Sequence, residues 1–332
     1  MAVSSTSAAL NIFTESTAPQ LAAVDALFHD ELQSDLTCVN TLVKHVSRFR
    51  GKMLRPMLVL LSGKAAAPDF QLGQAHVTVA TVVEMVHMAT LVHDDVLDEA
   101  ELRRKGATIN HLRGNEAAVL LGDYLISHSY HLCSSLNSQF ASRLIASTTN
   151  RVCEGELLQI DNRNNLDLDE RTYLDIIERK TASLTAACCR LGAKLAGAGE
   201  EVVNRLEEYG LCLGTAFQIQ DDILDLVGDV STVGKTLGID VEKCKLTLPV
   251  IHFLRTAPAG HRDLMRSIFT SRDSDKLERI RNLILPSESI TYAQNKAQQL
   301  VATARSALEI LPESDSRRTL DLMAKFVISR AM

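Results

Sequence analysis

The stretch Asp94-Asp95-Val96-Leu97-Asp98 is an acidic pattern inside a long apolar run, and Asp221-Asp222-Ile223-Leu224-Asp225 repeats it 127 residues further along the chain. On an α-helix the positions i, i+1 and i+4 project toward one side, so each segment presents three carboxylates to one small volume. Such a cluster in an apolar frame is costly unless a cation compensates it. Mg²⁺ takes one or two carboxylates and completes its shell with waters and substrate phosphates. The repeat therefore predicts metal-bridged phosphate binding, with a cation cage where the two helices face each other.

The simpler interpretation of these acids is a solvated helix face, which is the usual place for charged residues of a helix. The flanking residues argue against it. Leu91, Val92 and Leu97 surround the first cluster, and Ile219 and Leu226 surround the second. Neither helix can therefore be polar and solvated all round.

The composition narrows the functional classes. The 332 residues are 46% hydrophobic and 23% charged, which is ordinary for a globular protein. The net charge of -6 and the lack of a basic stripe disfavour nucleic-acid binding. Trp is absent and aromatic residues make up 4% of the chain, so an internal cavity would be lined mostly by aliphatic side chains.

Cysteine spacing and the start of the chain predict a cytoplasmic protein. The seven cysteines form no Cys-x-x-Cys pair, so we expect buried thiols in a reducing compartment and no zinc or disulfide framework. The first basic residue is Lys44, which is unlike a transit or signal peptide. No uninterrupted apolar stretch is long enough to span a bilayer. Residues 1–20 are rich in Ser, Thr and Ala, which is typical of a disordered or frayed start.

Proline spacing and apolar periodicity predict an all-α fold. No proline occurs between Pro68 and Pro249, so helices there can be long. Residues 76–83 are rich in β-branched side chains, yet they continue without a breaker into the first acidic cluster and are predicted to be helical. We expect a single domain over residues 21–332 with roughly ten to thirteen helices. Periodic apolar stretches lie near 21–46, 56–66, 74–102, 115–136, 139–160, 169–196, 200–227, 242–255, 260–269, 274–285, 289–310 and 316–330.

Basic residues accompany each acidic cluster. Residues 51–56 read Gly-Lys-Met-Leu-Arg-Pro, Arg103-Arg104 follows the first cluster, and Gly234-Lys235 and Lys243-Cys244-Lys245 follow the second. A cationic helix C-terminus, favoured by the helix dipole, is one account of Arg103-Arg104. The other is capture of a diphosphate, for which Arg offers a planar donor fork and Lys a point charge. Acids for metal together with bases for phosphate favour the second account.

In this order, the motifs resemble those of the trans-polyprenyl diphosphate synthases, the chain-elongating prenyltransferases, and the pattern is most similar to medium- and long-chain members. The resemblance covers nearly the whole chain, and its motifs are specific as an ordered set. It implies an all-α bundle around a central catalytic cavity and a homodimer. The matching segments are 51–56, 93–98 with Arg103-Arg104, 122–125, Lys180-Thr181, 217–225 and Gly234-Lys235.

The resemblance implies a role for each matching residue. The metal ligands would be Asp94, Asp95, Asp98, Asp221, Asp222 and Asp225. The allylic diphosphate would be held by Arg103, Lys180, Lys235 and Lys245. Isopentenyl diphosphate would be held by Lys52, Arg55, His87 and Arg104. The residues beside the reacting carbons would be Lys180, Thr181 and Gln218.

The implied reaction joins isopentenyl diphosphate to dimethylallyl, geranyl, farnesyl or geranylgeranyl diphosphate. Three Mg²⁺ ions, with Mn²⁺ as a substitute, and the basic residues would stabilise charge on the departing diphosphate as the allylic C–O bond ionises. The isopentenyl double bond then attacks the cation, and proton loss gives a longer allylic diphosphate. No side-chain nucleophile is needed, in agreement with the lack of an evident Ser-His-Asp or Cys-His signature.

Three residues depart from the family pattern. Arg50 stands where a second glycine is usual, and Met53 stands where a basic residue is common. Both differences predict altered binding of isopentenyl diphosphate by this loop. Lys105 separates the arginine pair from Gly106, which predicts a different loop geometry after Arg104.

The resemblance implies that the residue five places before the first aspartate helps to set product length, and in this chain that residue is Ala89. Ala89 and Thr90 form no bulky plug, so the growing tail would continue past them, each helical turn adding about 5.4 Å. This predicts a C30 to C50 product. Close helix packing explains Ala89 equally well. Deeper positions on the same helix are Met85, Val86 and Val82, and other helices can supply the floor through Tyr124, Ile126 or His128.

Several alternatives stay open. A short-chain (C15 to C20) synthase has the same motifs, and a terpene cyclase would need an Asn/Ser/Glu-type second metal motif. A non-catalytic partner subunit would typically lack an acidic motif. A di-iron bundle requires two Glu-x-x-His pairs, and the chain has one, at 84–87. For His93 we favour a histidine hydrogen-bonded within the bundle over a metal ligand, and for Glu154, Glu156 and Gln159 a helix face over a tunnel wall.

Overall fold

The computed structural model describes residues 17–104, 106–228, 238–271, 273 and 275–329. Helices dominate these residues, and the paired strands form a two-residue antiparallel hairpin, β1 (Leu102–Arg103) with β2 (Gly106–Ala107). The predicted all-α fold is confirmed. The helices are α1 (Ala18–Glu31), α2 (Thr37–Ser47), α3 (Leu54–Ala66), α4 (Gln74–Leu97), α5 (Ile109–Ser134), α6 (Gln139–Asp161), α7 (Glu170–Ile177), a π-helical turn (Glu178–Ala182), α8 (Ser183–Leu195), α9 (Glu200–Val227), α10 (Ile239–Glu242), α11 (Leu248–Thr256), α12 (Ala259–Thr270), α13 (Lys276–Ile284), α14 (Ser289–Ala307) and α15 (Asp315–Ser329).

Most helix boundaries agree with the apolar periodicity, and residues 76–83 lie inside α4 as predicted. Two of the predicted helical stretches, 21–46 and 242–255, were wrong. Residues 21–46 are broken between α1 and α2, because the Ser34 and Asn40 side chains bond the backbone of the intervening turn. Residues 242–255 become helical only from Leu248. Helix α1 begins at Ala18, inside the segment expected to be frayed, and residues 1–16 lie outside the described residues.

The fold divides into two compact units. Unit 1 comprises residues 1–149, 186–207 and 308–321, and unit 2 comprises residues 150–185, 208–307 and 322–332. Each acidic cluster belongs to a different unit, the first to unit 1 and the second to unit 2. The single-domain assignment of residues 21–332 stays a prediction.

Helix α4 is the centre of unit 1. It packs against α1, α3 and α5, and every residue from His76 to Val86 is buried. A helix that is apolar all round is stable only when neighbours cover it on all sides. This burial holds the acidic end of α4 in a defined position.

Small residues allow α3 and α8 to approach closely in unit 1. A Cβ added to Gly192 would lie 2.1 Å from the Val59 carbonyl oxygen, and one added to Gly63 would lie 2.9 Å from Nε2 of His76. The same His76 nitrogen lies 3.2 Å from the Gly192 carbonyl oxygen. Gly63 therefore leaves space for the buried ring of His76, which reaches the Gly192 carbonyl oxygen.

Helix α11 is the centre of unit 2, where it packs against α7, α12, α13 and α14. Glu170, at the start of α7, receives hydrogen bonds from Tyr292 (2.6 Å) and Lys296 (3.1 Å) of α14. The Tyr292 ring stacks on His252 of α11, with ring centroids 4.2 Å apart. These contacts join the start of α7 to α11 and α14.

By length and composition alone, α4 could cross a membrane. The expectation that no apolar stretch is long enough to span a bilayer is therefore not met by these two criteria. However, 78% of its apolar window is buried inside the protein. Burial by neighbouring helices is the pattern of a core helix. The expectation of buried thiols holds for Cys133, Cys188 and Cys189, whereas Cys38 and Cys153 are exposed.

We predict that Gly192→Ala destabilises the protein by about 1–3 kcal/mol, because the added methyl group meets a backbone carbonyl that cannot move independently. Gly199→Ala is the matched control, since a Cβ there meets no atom within 4 Å. The free energy of unfolding in urea measures both. Equal stability of the two variants would contradict the close approach of α3 and α8.

Candidate active site

The first acidic cluster, Asp94, Asp95 and Asp98, ends helix α4 and is called the α4 cluster. Asp94 and Asp98 are one helical turn apart and half-buried, and Asp98 is the C-cap residue. The last turn of α4 contains no basic residue. Because backbone carbonyls already make a helix C-terminus negative, carboxylates there raise the negative potential further. This position attracts cations.

Asp95 faces away from that position and is buried, with 6% of its surface exposed. Its Oδ1 accepts two hydrogen bonds from Arg103, from Nε at 2.8 Å and from Nη2 at 2.7 Å. Burial raises the pKa of Asp95, while Arg103 acts in the opposite direction. The structure therefore joins two residues that were predicted to contact metal and diphosphate separately.

The predicted isopentenyl diphosphate residues come from the loop before α3 (Lys52), from α3 (Arg55), from α4 (His87) and from the hairpin turn (Arg104). Arg104 Nη1 donates to the Phe49 carbonyl oxygen at 2.6 Å, and a Cβ on Gly51 would lie 2.7 Å from Arg104 Nη2. The Arg104 guanidinium therefore leaves no room for a side chain at position 51. This contact places Arg104 of the hairpin turn beside the loop that carries Lys52 and leads into α3 with Arg55.

Buried Glu84 and half-buried His87 complete this basic cluster, which consists of Lys52, Arg55, Glu84, His87 and Arg104. Burial raises the pKa of Glu84, and the charge of Arg55 opposes that rise. Burial also lowers the pKa of His87 well below its usual range, with Arg55 and Arg104 acting in the same direction. His87 is thus neutral at neutral pH. The buried Nε of Arg55 has no hydrogen-bond partner among the described residues, which suits an anionic ligand.

Two departures from the family pattern contact each other. Arg50 Nη2 donates to the Met53 sulfur at 3.1 Å, and Arg50 Nη1 donates to Asp25 Oδ1 at 2.5 Å. The guanidinium also lies 4.2 Å from the centre of the Phe28 ring. Arg50 therefore attaches the loop to α1. Lys105, the third departure, lies outside the described residues.

The second acidic cluster, Asp221, Asp222 and Asp225, lies at the C-terminal end of α9 and is called the α9 cluster. No basic residue lies in the last turn of this helix either. Asp222 is buried and accepts hydrogen bonds from Tyr173 Oη at 2.6 Å and Gln218 Nε2 at 2.8 Å. Burial raises the pKa of Asp222 well above its usual range, and the nearby charge of Asp240 adds to the rise.

Asp225 binds backbone rather than pointing into a cavity. Its two oxygens accept the N–H groups of Ile239 (3.3 Å) and Asp240 (3.1 Å), and its own carbonyl oxygen accepts the N–H of Gly238 (3.0 Å). These hydrogen bonds connect the C-terminal end of α9 to the start of α10. Asp221 and Asp225 are both half-buried, whereas Asp222 is buried.

Lys180 and Thr181 lie in the π-helical turn between α7 and α8. Such turns are rare and are often found at functional sites. Helix α6 approaches this turn closely, since a Cβ on Gly155 would lie 2.6 Å from the Lys180 backbone nitrogen. The Lys180 ammonium forms an ion pair with Glu156. Thr181 Oγ1 donates to Gln218 Oε1 at 3.0 Å, so the three predicted catalytic residues share one region of unit 2.

A cavity of about 110 Å³ opens beside these residues in unit 2. Apolar side chains line one part of its wall and polar side chains the other. Gln159 contributes to the wall of this cavity, and the choice between a helix face and an elongation tunnel wall for Gln159 stays a prediction. The lining residues are Gln159, Asn162, Leu168, Tyr173, Ile176, Ile177, Lys180, Thr181, Gln218, Asp222, Asp240, Lys245, Leu246 and Thr247.

The remaining predicted residues are distributed as follows. His93 Nε2 lies 3.2 Å from the Val119 carbonyl oxygen, as expected for a histidine bonded between helices, and Gly122 leaves the space for its ring. Thr90 is half-buried, and its hydroxyl donates to the His87 carbonyl oxygen. Lys235 lies outside the described residues. The buried chain-length candidates are Ala89, Met85, Val86 and Val82.

No group of three or more His, Cys, Asp or Glu residues that could hold a metal ion by itself is present among the described residues. Asp95, Asp222 and Asp225 bind protein groups, so neither helix end presents three carboxylates to one small volume as the sequence analysis expected. A Mg²⁺ ion needs only one or two carboxylates when phosphates complete its shell. The acidic ends of α4 and α9 fit that requirement.

Two contributing residues were missed by the sequence analysis. Tyr173 reaches Asp222 from α7, and Glu84 lies among the basic residues from within α4. Tyr173 shares the buried face of α7 with Ile176 and Ile177, so the pattern alone makes it a core residue. Glu84 had a signal, because a lone carboxylate in the apolar stretch 76–86 requires a buried cationic partner.

Comparison with known proteins gives a consistent result. The family model described as polyprenyl synthetase matches residues 37–284. The chain is 34% identical to the octaprenyl diphosphate synthase of Escherichia coli (strain K12) over 322 residues, which cover 97% of this chain and 99% of that protein.

Solved structures resemble the fold closely. A decaprenyl diphosphate synthase from Rhodobacter capsulatus superposes with a TM-score of 0.91 at 34% identity, covering 97% of this chain and 99% of that one. A polyprenyl synthase from Caulobacter crescentus CB15, complexed with calcium and isoprenyl diphosphate, has a TM-score of 0.90 at 32% identity, covering 97% and 98%.

We predict that Asp225→Ala speeds hydrogen exchange at the Ile239 and Asp240 amides, since loss of a capping carboxylate costs about 0.5–2 kcal/mol. Asp221→Asn is the control on the same helix and should leave these two amides unchanged. Amide exchange followed by mass spectrometry or NMR measures the effect. Unchanged protection in Asp225→Ala would contradict the backbone-binding role.

Proposed function

Because this chain belongs to the polyprenyl synthetase family of trans-prenyltransferases, we propose that it condenses an allylic diphosphate with isopentenyl diphosphate, head to tail and all-trans, in a Mg²⁺-dependent reaction. The observation that carries the proposal is the placement of both acidic clusters at helix C-terminal ends that contain no basic residue. Such ends bind cations well. The basic cluster of unit 1 supplies the complementary site for an anionic diphosphate.

Asp94, Asp98 and Asp221 would hold the Mg²⁺ ions, three in number, with Mn²⁺ as a substitute. Bound Mg²⁺ would supply charge stabilisation for the diphosphate leaving group. Asp95 acts indirectly, because it holds the Arg103 guanidinium through two hydrogen bonds. The Caulobacter crescentus structure is complexed with calcium, which supports the use of a divalent cation.

The basic cluster would hold isopentenyl diphosphate. Arg55 has a buried donor without a protein partner, and Arg104 is oriented by its bond to the Phe49 carbonyl oxygen. Neutral His87 can donate one hydrogen bond without adding charge. Lys52 contributes a cation at the exposed edge. Glu84 keeps the net charge of the cluster low when no ligand is bound.

Residues of unit 2 would act on the allylic substrate. Lys180, Lys245 and Lys235 would bind its diphosphate, together with Arg103. The hydroxyl oxygen of Thr181 and the amide of Gln218 would lie beside the allylic cation, since both line the cavity. Departing diphosphate would accept the proton, so no side-chain base is required.

The proposed product is C30 to C50. Ala89 is fully buried and small, and the deeper chain-length candidates on α4, Met85, Val86 and Val82, are buried apolar side chains. The octaprenyl and decaprenyl names of the two similar proteins support this range. A short-chain synthase is the second candidate, favoured if α5 closes the tail space through Tyr124, whose ring lies 4.3 Å from that of His128. We further propose a cytoplasmic homodimer.

The direct test is product analysis by mass spectrometry with isopentenyl diphosphate, Mg²⁺ and C5, C10, C15 or C20 allylic primers. Asp94→Ala and Asp98→Ala should each lower kcat by about 100-fold or more, because a metal ligand is lost. Asp30→Ala, an exposed aspartate of α1, is the control and should keep activity within about 2-fold. Retained elongation in the first two variants would refute the assignment, and cyclic hydrocarbon products would indicate a cyclase.

Ala89→Phe should shorten the main product, because its ring would fill the space available to the tail. Met88→Phe is the matched control, since Met88 lines a small cavity with Val92 and Asp95 on another side of α4. Circular dichroism confirms folding of both variants. An unchanged product length in a folded Ala89→Phe protein would leave Ala89 with a packing role only.

A further inference from the structure

Tyr173 begins a chain of hydrogen bonds that ends at the candidate catalytic cavity. Its hydroxyl donates to Asp222 Oδ2 at 2.6 Å, Gln218 Nε2 donates to Asp222 Oδ1 at 2.8 Å, and Thr181 Oγ1 donates to Gln218 Oε1 at 3.0 Å. A backbone hydrogen bond from Leu248 also reaches the Tyr173 hydroxyl. All of these residues belong to unit 2.

The carboxylate of Asp222 determines the orientation of the Gln218 amide. In the structure Asp222 accepts a hydrogen bond from the NH₂ group of Gln218, and the Gln218 carbonyl oxygen accepts one from Thr181. The opposite amide orientation would bring the Gln218 oxygen against the carboxylate and leave both without a donor. Tyr173, only 3% exposed, saturates the second oxygen of Asp222 and prevents the carboxylate from rotating toward other donors.

A defined amide orientation has a consequence for Thr181. The hydroxyl hydrogen of Thr181 is committed to Gln218, so the side chain can offer only oxygen lone pairs to the cavity that it lines. Preoriented dipoles with their negative ends toward a developing cation stabilise that cation without reorganisation during the reaction. A Thr181 hydroxyl that was free to rotate would lose this advantage.

We propose that Tyr173 is a positioning residue for carbocation formation, acting through Asp222 and Gln218 on Thr181. This inference rests on the proposed prenyl transfer and assigns Asp222 to the orientation of the catalytic amide instead of to metal binding. Tyr173 touches no reacting atom in this role. Its hydroxyl affects the rate of ionisation and leaves substrate binding and Mg²⁺ dependence unchanged.

The test is Tyr173→Phe, which removes the hydroxyl and keeps the ring. We expect kcat to fall by about 10-fold, a fraction of the loss that misoriented catalytic groups can cause. Both KM values and the Mg²⁺ concentration for half-maximal rate should stay within about 2-fold. Tyr292→Phe is the matched control, because it removes a tyrosine hydrogen bond of the same 2.6 Å length to a carboxylate, Glu170, outside this chain of bonds. It should keep kcat within about 2-fold.

A double-mutant cycle distinguishes positioning from a general loss of stability. In a Gln218→Ala background, Tyr173→Phe should have no further effect on kcat, because the link to Thr181 is already absent. In an Asp221→Asn background, it should again cost about 10-fold. An equal loss in the Gln218→Ala background would overturn the proposal, as would a Tyr173→Phe effect confined to KM or to Mg²⁺ dependence.

The crystal structure of Tyr173→Phe is a readout that does not depend on activity. We expect the Gln218 amide to turn and its bond to Thr181 to lengthen beyond 3.5 Å. An unchanged Thr181–Gln218–Asp222 arrangement would overturn the positioning role. An inactive wild-type protein would refute the proposed prenyl transfer, and the variant structure would still decide whether Tyr173 orients the amide.

Discussion

Carboxylates buried among aliphatic helices are the constraint on which this structure depends. Each acidic cluster lies at the C-terminal end of a long helix, where the backbone already contributes negative potential. Charge in that environment needs nearby compensation. In unit 1 the arginine of the hairpin binds Asp95, and in unit 2 Tyr173 and Gln218 bind Asp222. The half-buried aspartates Asp94, Asp98 and Asp221 are the proposed cation ligands.

The same constraint explains why three equivalent aspartates have different roles. In the α9 cluster, Asp222 orients an amide, Asp225 binds the backbone of residues 239 and 240, and Asp221 is the candidate metal ligand. Charge compensation also operates in the basic cluster of unit 1. A neutral histidine and a buried glutamate reduce the repulsion among its arginines. Arg50 and Met53 attach the loop of this cluster to α1, so these unusual residues have a structural task.

Helical character was predictable because the apolar repeat and the absence of proline from 69 to 248 act locally. This held even for the β-branched residues 76–83, which tertiary burial keeps helical. The break between α1 and α2 was not predictable from periodicity, because side-chain bonds of Ser34 and Asn40 override it. The π-helical turn at Glu178–Ala182 was also missed. It occurs where Gly155 of α6 approaches Lys180, and such an approach has no local signal.

The sequence by itself determined the fold class, the family and the two acidic clusters with their accompanying bases, because those properties depend on residue type, order and spacing. Only the tertiary structure decided which aspartate does what. A DDxxD pattern places its carboxylates within about one and a half turns, but their partners come from elements distant in sequence. Asp95 meets Arg103 of the hairpin, Asp222 meets Tyr173 of α7, and Asp225 meets the start of α10. Packing brought those partners together, and packing is not encoded in a motif.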